Sequence, residues 1–273
     1  PQDLSLIEGS PSDRRRFMNT TLTQVDVDYL MALDEYEKLL PQRNALLKRI
    51  AEKRANKVEL EFWDEQLATN GAILIAGRQR LLRELEVKAQ DTHHALTGGR
   101  ETLSLKYQPS IMPTANNDSK QLSFDVLGLD LNRQLTPEQI KPQILQVLEA
   151  EQRESIARGV TLSGPHRDEL RMYINNRDSG LFGSRGQART AVMALKFAEL
   201  EWMRDRIGEY PLFLLDEVVA ELDSKRRAFL LENLKGQAQT LVTTTELDIF
   251  TQEFTDRALV LNVIEGQIDA VGG

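Results

Sequence analysis

An α/β fold carrying a mainly helical lobe is the class this sequence predicts, and three observations predict it. From Val25 to Thr97 glycine occurs only at Gly71 and Gly77, proline only at Pro41, and apolar residues recur at spacings of three and four. Beyond Gly98-Gly99 the period shortens: Leu103, Leu105 and Tyr107, and later Leu170, Met172 and Ile174, alternate with polar residues as strands do. From Ala188 onward helix and strand patterns succeed one another, the arrangement of a mixed or parallel sheet with helices laid against it.

Each element follows in order. Ser10-Pro11-Ser12-Asp13 sets a capping residue, a first-turn proline and an early acid in the order that starts a helix near Pro11. Leu30, Leu33, Tyr36, Leu39 and Leu40, then Leu46, Leu47 and Ile50, form the apolar stripe of a first long helix, which Pro41 would kink if it lies inside. A break between Ala55 and Glu61 leads to a second helix from about Leu60 to Leu96, so the pair reads as a short antiparallel arm. No heptad holds for more than a few turns, which excludes a long coiled coil. A strand at 103–107 is followed by Pro109, Pro113 and a polar loop over 114–120. Thr136-Pro137-Glu138-Gln139 is a capping box for a helix ending at Gly159, with Pro142 as a kink or as the true start. After the strand of Leu170 and the turn-rich Asn175 to Gly180 come a helix to Ile207, a strand 212–215, a helix 224–234 and a strand 240–244. A last hairpin, 258–264 with 267–271, turns at Glu265-Gly266.

Composition narrows the function. The 273 residues suffice for one large domain or two ordinary ones, and 41% hydrophobic with 28% charged residues is the balance of a soluble globular protein. No apolar run approaches the ~20 residues of a membrane span. There is no cysteine, and the three histidines leave little for a metal centre, so a reducing cytoplasm is the expected setting. The net charge of -8 means that nucleic acid would have to meet a local basic face or a dimer groove. Pro1 stands where a methionine would, and no signal segment follows, which reads as truncation or processing.

Two motifs carry chemistry. Pro211-Leu-Phe-Leu-Leu-Asp-Glu217 is an apolar strand, expected to be buried on both faces, that ends in paired carboxylates. In nucleoside triphosphate hydrolysis Asp216 would hold Mg2+ and Glu217 would polarise the attacking water. An acidic turn at a strand end is the equally good plain reading. Ser184-Arg185-Gly186-Gln187 opens a helix of about 20 residues, roughly 30 Å, with Val192, Leu195, Phe197, Leu200 and Met203 as its core stripe. A hydroxyl and glycine N–H groups at such a terminus suit phosphate oxygens, although an ordinary N-cap has the same letters. Asp223 precedes a helix and could simply cap it. Thr243-Thr244-Thr245 follows the next strand.

With those residues in view, the chain resembles the RecF family of the SMC-like branch of ABC ATPases. The resemblance rests on residues 1–15 (PQDLSLIEGSPSDRR), 36–48 (YEKLLPQRNALLK), Gly164-Pro-His-Arg-Asp168, Ser184 to Arg189 and Leu214 to Asp223, and it runs nearly the length of the chain. It implies the C-terminal portion of an ABC-type head, at 1–20 and 159–273, with a helical lobe or short arm at 21–158. It further implies ATP with Mg2+ as cofactors, an ATP-dependent homodimer, binding of duplex DNA or of single-strand/double-strand junctions, and partners of the RecO and RecR type that help place recombinase on gapped DNA in replication and repair. By position, Ser184, Arg185, Gly186 and Gln187 would reach the partner subunit's nucleotide, Asp216 and Glu217 would be the Walker B pair, Asp223 would lie in the D-loop, and Thr245 would occupy the switch position. The Gly-x-x-x-x-Gly-Lys-Ser/Thr loop that such proteins carry is absent from the 273 residues, so this chain alone is expected to be inactive and the complete protein a weak ATPase.

Other readings stay open at this stage: another SMC-like ATPase of nuclease or defence type, or a non-hydrolysing DNA- or protein-binding module. Arg14-Arg15-Arg16 and the basic residues from Lys48 to Arg54 are either phosphate contacts or solvated helix faces. His93-His94 is expected on the surface, and His166-Arg167-Asp168 as a structural turn without a nucleophile.

Overall fold

The computed structural model describes residues 4–111, 134–216, 219, 222–234 and 239–270, with the side chains of residues 225, 234 and 270 excepted. The polar loop expected over 114–120, Glu217 and the two residues before Leu222 lie outside them. Two compact units divide at Trp202/Met203.

In the first unit α1 (Ser5–Glu8) leads to α2 (Pro11–Thr23), whose start is a capping box: the Ser10 N–H donates to Asp13 Oδ2 at 2.8 Å. The two long helices are α3 (Val27–Ala51) and α4 (Leu60–Thr97). They run antiparallel, since Arg43 on α3 pairs with Asp64 near the start of α4 while Tyr29 meets Arg78 further along it. Pro41 lies inside α3 without ending it. A 3-10 turn at Lys57–Glu59 makes the connection, where the break was expected. Gly98, at φ 64°, adopts the left-handed conformation that closes α4.

Strand β1 (Leu103–Gln108) pairs antiparallel with β2 (Glu169–Ile174), Leu105 opposite Met172, and β2 turns through Asn175-Asn176 into the short β3 (Arg177–Asp178). Alternation locates both longer strands; their pairing across more than sixty residues has no local signal. The single helix expected between Thr136 and Gly159 is two, α5 (Pro137–Ala150) and α6 (Gln152–Arg158), with Pro142 inside α5 and the break at Glu151. Ile140, Ile144 and Leu148 of α5 bury themselves against Ala68, Ala72 and Ile75 of α4. A single-turn helix α7 (Ser179–Phe182) precedes α8 (Arg185–Ile207), within which the division between units falls.

The second unit holds β4 (Phe213–Asp216) parallel to β5 (Thr240–Thr243), α9 (Ser224–Leu234), α10 (Gln252–Thr255), and a hairpin of β6 (Leu261–Ile264) and β7 (Gln267–Ala270). Glu265 at φ 51° and Gly266 at φ 80° make its two-residue turn, as expected. One expectation is corrected here. Leu215 is buried, but Leu214 is 61% exposed and lies opposite Leu241, itself 55% exposed, so β4 is covered on one face only. Four apolar residues in a row carry no alternation from which an open face could be read.

Candidate functional site

The Ser184–Gln187 turn belongs to the first unit, and its own side chains hold it. Ser184 caps α8: its hydroxyl accepts the Gln187 N–H at 3.2 Å while the Gln187 side-chain oxygen accepts the Ser184 N–H at 2.9 Å. The amide nitrogen of Gln187 then donates to Glu101 Oε1 at 2.9 Å, in the segment between α4 and β1. Thr190 donates to the Gly186 carbonyl at 2.8 Å, which steadies the first turn. Ser184 and Arg185 are exposed, whereas Gly186 and Gln187 are half-buried. The Ser-x-x-Gln box could have been read from the letters. Glu101 could not, because 86 residues separate it from Gln187.

Behind Glu101 stands His93, which corrects a second expectation. It is fully buried, with Nε2 3.3 Å from Glu101 Oε2, while its neighbour His94 is exposed. The 3.6-residue period explains it: His93 continues the buried face of α4 through Ala89 and Leu96.

The carboxylate edge belongs to the second unit. In a parallel pair both strands end at the same edge, where α/β sheets place their ligands. Asp216 closes β4 opposite Thr243, whose hydroxyl donates to Asp216 Oδ1 at 2.7 Å. Asp216 is exposed, and Thr245 follows two residues past β5, also exposed. Glu217 lies outside the described residues. Asp223 caps α9, accepting the Arg226 N–H at 2.9 Å and pairing with the Arg226 guanidinium. Among the described residues no group of three or more His, Cys, Asp or Glu side chains is arranged to hold a metal ion. An exposed carboxylate beside a hydroxyl nevertheless fits Mg2+, which takes one or two protein carboxylates and fills its remaining positions with water and substrate phosphates.

Gly164-Pro-His-Arg-Asp168 is a structural hub, as expected. Asp168 is fully buried and accepts from the Ser110 N–H at 2.8 Å, from Arg78 Nη1 at 2.9 Å and from the Tyr107 hydroxyl. Burial pushes its carboxyl up, against the opposing pull of Arg78, Tyr107 and Ser110. Arg78 also donates to Tyr29 at 3.1 Å, to the Pro165 carbonyl at 2.7 Å and to Asn19 at 2.9 Å. His166 Nε2 lies 3.2 Å from the Thr161 carbonyl and must donate to it, so Nδ1 accepts the Tyr36 hydroxyl at 2.8 Å and the ring is neutral. Burial lowers its pKa to about 4.

Of the basic clusters, Arg14 is buried in a two-pronged pair with Glu169, Nε to Oε1 at 2.7 Å and Nη2 to Oε2 at 2.8 Å, and is a fold contact. Arg15 donates to the Asp168 carbonyl at 2.9 Å, and Arg16 is exposed. From Lys48 to Arg54 the four basic side chains are mostly solvated, with Arg54 paired to Glu52.

A capped Ser-x-Gly-Gln turn in one unit and a parallel strand pair ending in a carboxylate in the other are elements of an ABC-type head fold. Proteins named DNA replication and repair protein RecF are 38% identical over 98% of this chain in Alkaliphilus oremlandii and in Enterococcus faecalis, and 41% identical over 97% in a Synechococcus species. The chain spans 68% of the first two and 66% of the third. Solved structures of the recombination mediator RecF with ATP and with ATPrS, described as part of the RecFOR pathway, match all of the chain at 28% identity with TM-scores of 0.80 and 0.83, the chain spanning 66% of each. No family model matches. The chain belongs to the RecF family. No helix among the described residues is long and apolar enough to cross a membrane.

Proposed function

We propose that this chain works as a RecF-type recombination mediator in DNA repair and replication: an ATP-dependent dimer that binds DNA, with partners of the RecO and RecR type, in the cytoplasm. Family membership favours this over another SMC-like ATPase or a passive binding module. The observation that carries it is the signature turn, in which Ser184 and Gln187 cap each other and leave Ser184 and Arg185 facing solvent at a helix N-terminus.

In this reading residues 1–20 and 159–273 form the head and 21–158 the lobe. Ser184, Arg185, Gly186 and Gln187 present donors to the γ-phosphate bound by the partner subunit. Asp216, oriented by Thr243, is the residue that would hold Mg2+, which supplies charge neutralisation to the phosphates. Glu217 takes a proton from the attacking water, and Thr245, two residues past β5, serves the same phosphate. Asp223 lies toward the dimer seam. Hydrolysis is slow, and ATP acts chiefly as a clamp.

Sedimentation of the full-length protein tests this. ATP should produce dimers, Glu217→Gln should make them persist, and Ser184→Arg should bind ATP yet stay monomeric. Monomers at saturating ATP in the unmutated protein would overturn the clamp.

A further inference from the structure

A pocket of about 440 Å³ opens between α2 and α3, and none of the residues assigned above to ATP lines it. Its first wall is one face of α2: Ser12, the pair Arg15 and Arg16, the pair Asn19 and Thr20, and Thr23 lie three or four residues apart from turn to turn and so form a single stripe along the helix. Every one of these side chains offers a hydrogen-bond donor, and none is a carboxylate. Opposite stands α3 with Leu33, Tyr36, Glu37 and Leu40, again one stripe, whose only charge is the exposed Glu37. Arg78, Pro165 and His166 line it as well.

Charge bookkeeping decides what the pocket suits. Arg78 is spent on Asp168, and both ring nitrogens of neutral His166 are occupied. Arg15 has one bond, to a neutral carbonyl; burial holds its pKa down, Arg78 and Arg167 add to that, and Glu169 and Asp168 pull the other way. Arg16 reaches the rim exposed. Two guanidinium groups against one solvated carboxylate leave a positive cleft floored by hydroxyls, which is the chemistry that phosphate oxygens select.

We propose that the pocket between α2 and α3 binds a phosphate oxyanion through Arg15 and Arg16, with the Ser12, Asn19 and Thr20 side chains completing the donor set. The phosphate can come from a DNA backbone, a case that rests on the function proposed above, or from a free phosphate compound, a case that does not. In the first case Arg15 and Arg16 are the contribution of α2 to DNA affinity, positioning the duplex without reading its sequence.

Binding of a labelled duplex to the full-length protein with ATP, measured across a salt series, separates the cases when run beside a thermal-shift titration with inorganic pyrophosphate. Arg16→Ala changes an exposed side chain and keeps the fold; Arg15→Gln keeps a donor to the Asp168 carbonyl. If the backbone is the ligand, each variant weakens the duplex several-fold and lowers the salt slope by about one, with pyrophosphate inert. If a free compound is the ligand, pyrophosphate raises the melting temperature of the unmutated protein, the variants lose that rise, and duplex binding is unchanged. Duplex affinity, salt slope and pyrophosphate response all unaltered by both variants would overturn the site. A protein that binds no duplex at all removes the DNA case and the function proposed above, and leaves the pyrophosphate arm to decide the pocket.

Discussion

Gln187 and Glu101 are joined by a 2.9 Å hydrogen bond that ties the Ser184–Gln187 turn to the segment leaving the long helix α4. One amide thus carries two duties, since its oxygen caps the Ser184 N–H while its nitrogen holds Glu101. Glu101→Ala should leave Gln187 capping Ser184 but free to swing, and lower ATP-dependent dimerisation about tenfold, equivalent to ~1.4 kcal/mol. Gln187→Ala, which removes the cap on Ser184 as well, should cost at least as much, and the double variant no more than Gln187→Ala alone, because the shared contact is lost only once. Strictly additive losses in a sedimentation series would rule the coupling out.

The Arg78–Asp168 pair is buried on both sides. Removing one partner strands the other charge, so Asp168→Leu and Arg78→Met should each cost roughly 3–5 kcal/mol in urea unfolding. The double variant should be milder than the sum of the singles. Full additivity would show that the two charges act apart.

Acid should weaken the protein through His166. Its pKa sits near 4 in the fold against 6.5 in the unfolded chain, so between those values the unfolded state binds the extra proton. Stability from this group is whole above pH 6.5 and is lost as pH falls toward 4, by about 2 kcal/mol between pH 7 and pH 5. Urea midpoints at the two pH values should show that loss, and His166→Gln should flatten it. An equally steep pH dependence in the variant would place the effect elsewhere.

Gly77→Ala should destabilise although alanine is the better helix former by ~1 kcal/mol. A Cβ at Gly77 would come within 2.7 Å of Tyr29 Cδ2, and Tyr29 cannot yield because its hydroxyl is fixed to Asn19 and Arg78. The expected net cost is about 1–3 kcal/mol. A raised melting temperature would contradict it.

Much of the fold was legible where the signal is local. The Ser10 and Thr136 capping boxes, the end of α4 at Gly98 and the Glu265-Gly266 turn are all set by neighbouring letters. What stayed hidden depends on distant partners: His93 turned inward beside Glu101, Leu214 left open, and Arg14 spent on Glu169 rather than facing solvent. For the site, the residue types at Ser184, Gln187, Asp216 and Asp223 were readable, whereas the bonds that orient Gln187 and Asp216, from Glu101 and Thr243, come from other segments.

The single guanidinium of Arg78 gathers partners from α2, from α3 and from the Pro165–Asp168 turn, with Tyr107 of β1 sharing the same carboxylate. None of these segments can dock alone without leaving a buried charge unanswered, so partial assemblies are penalised and the last segment to arrive releases the penalty for all. Arg78 therefore acts as a proof-reader of assembly: its charge and that of Asp168 are fully answered only when all of these segments are in place.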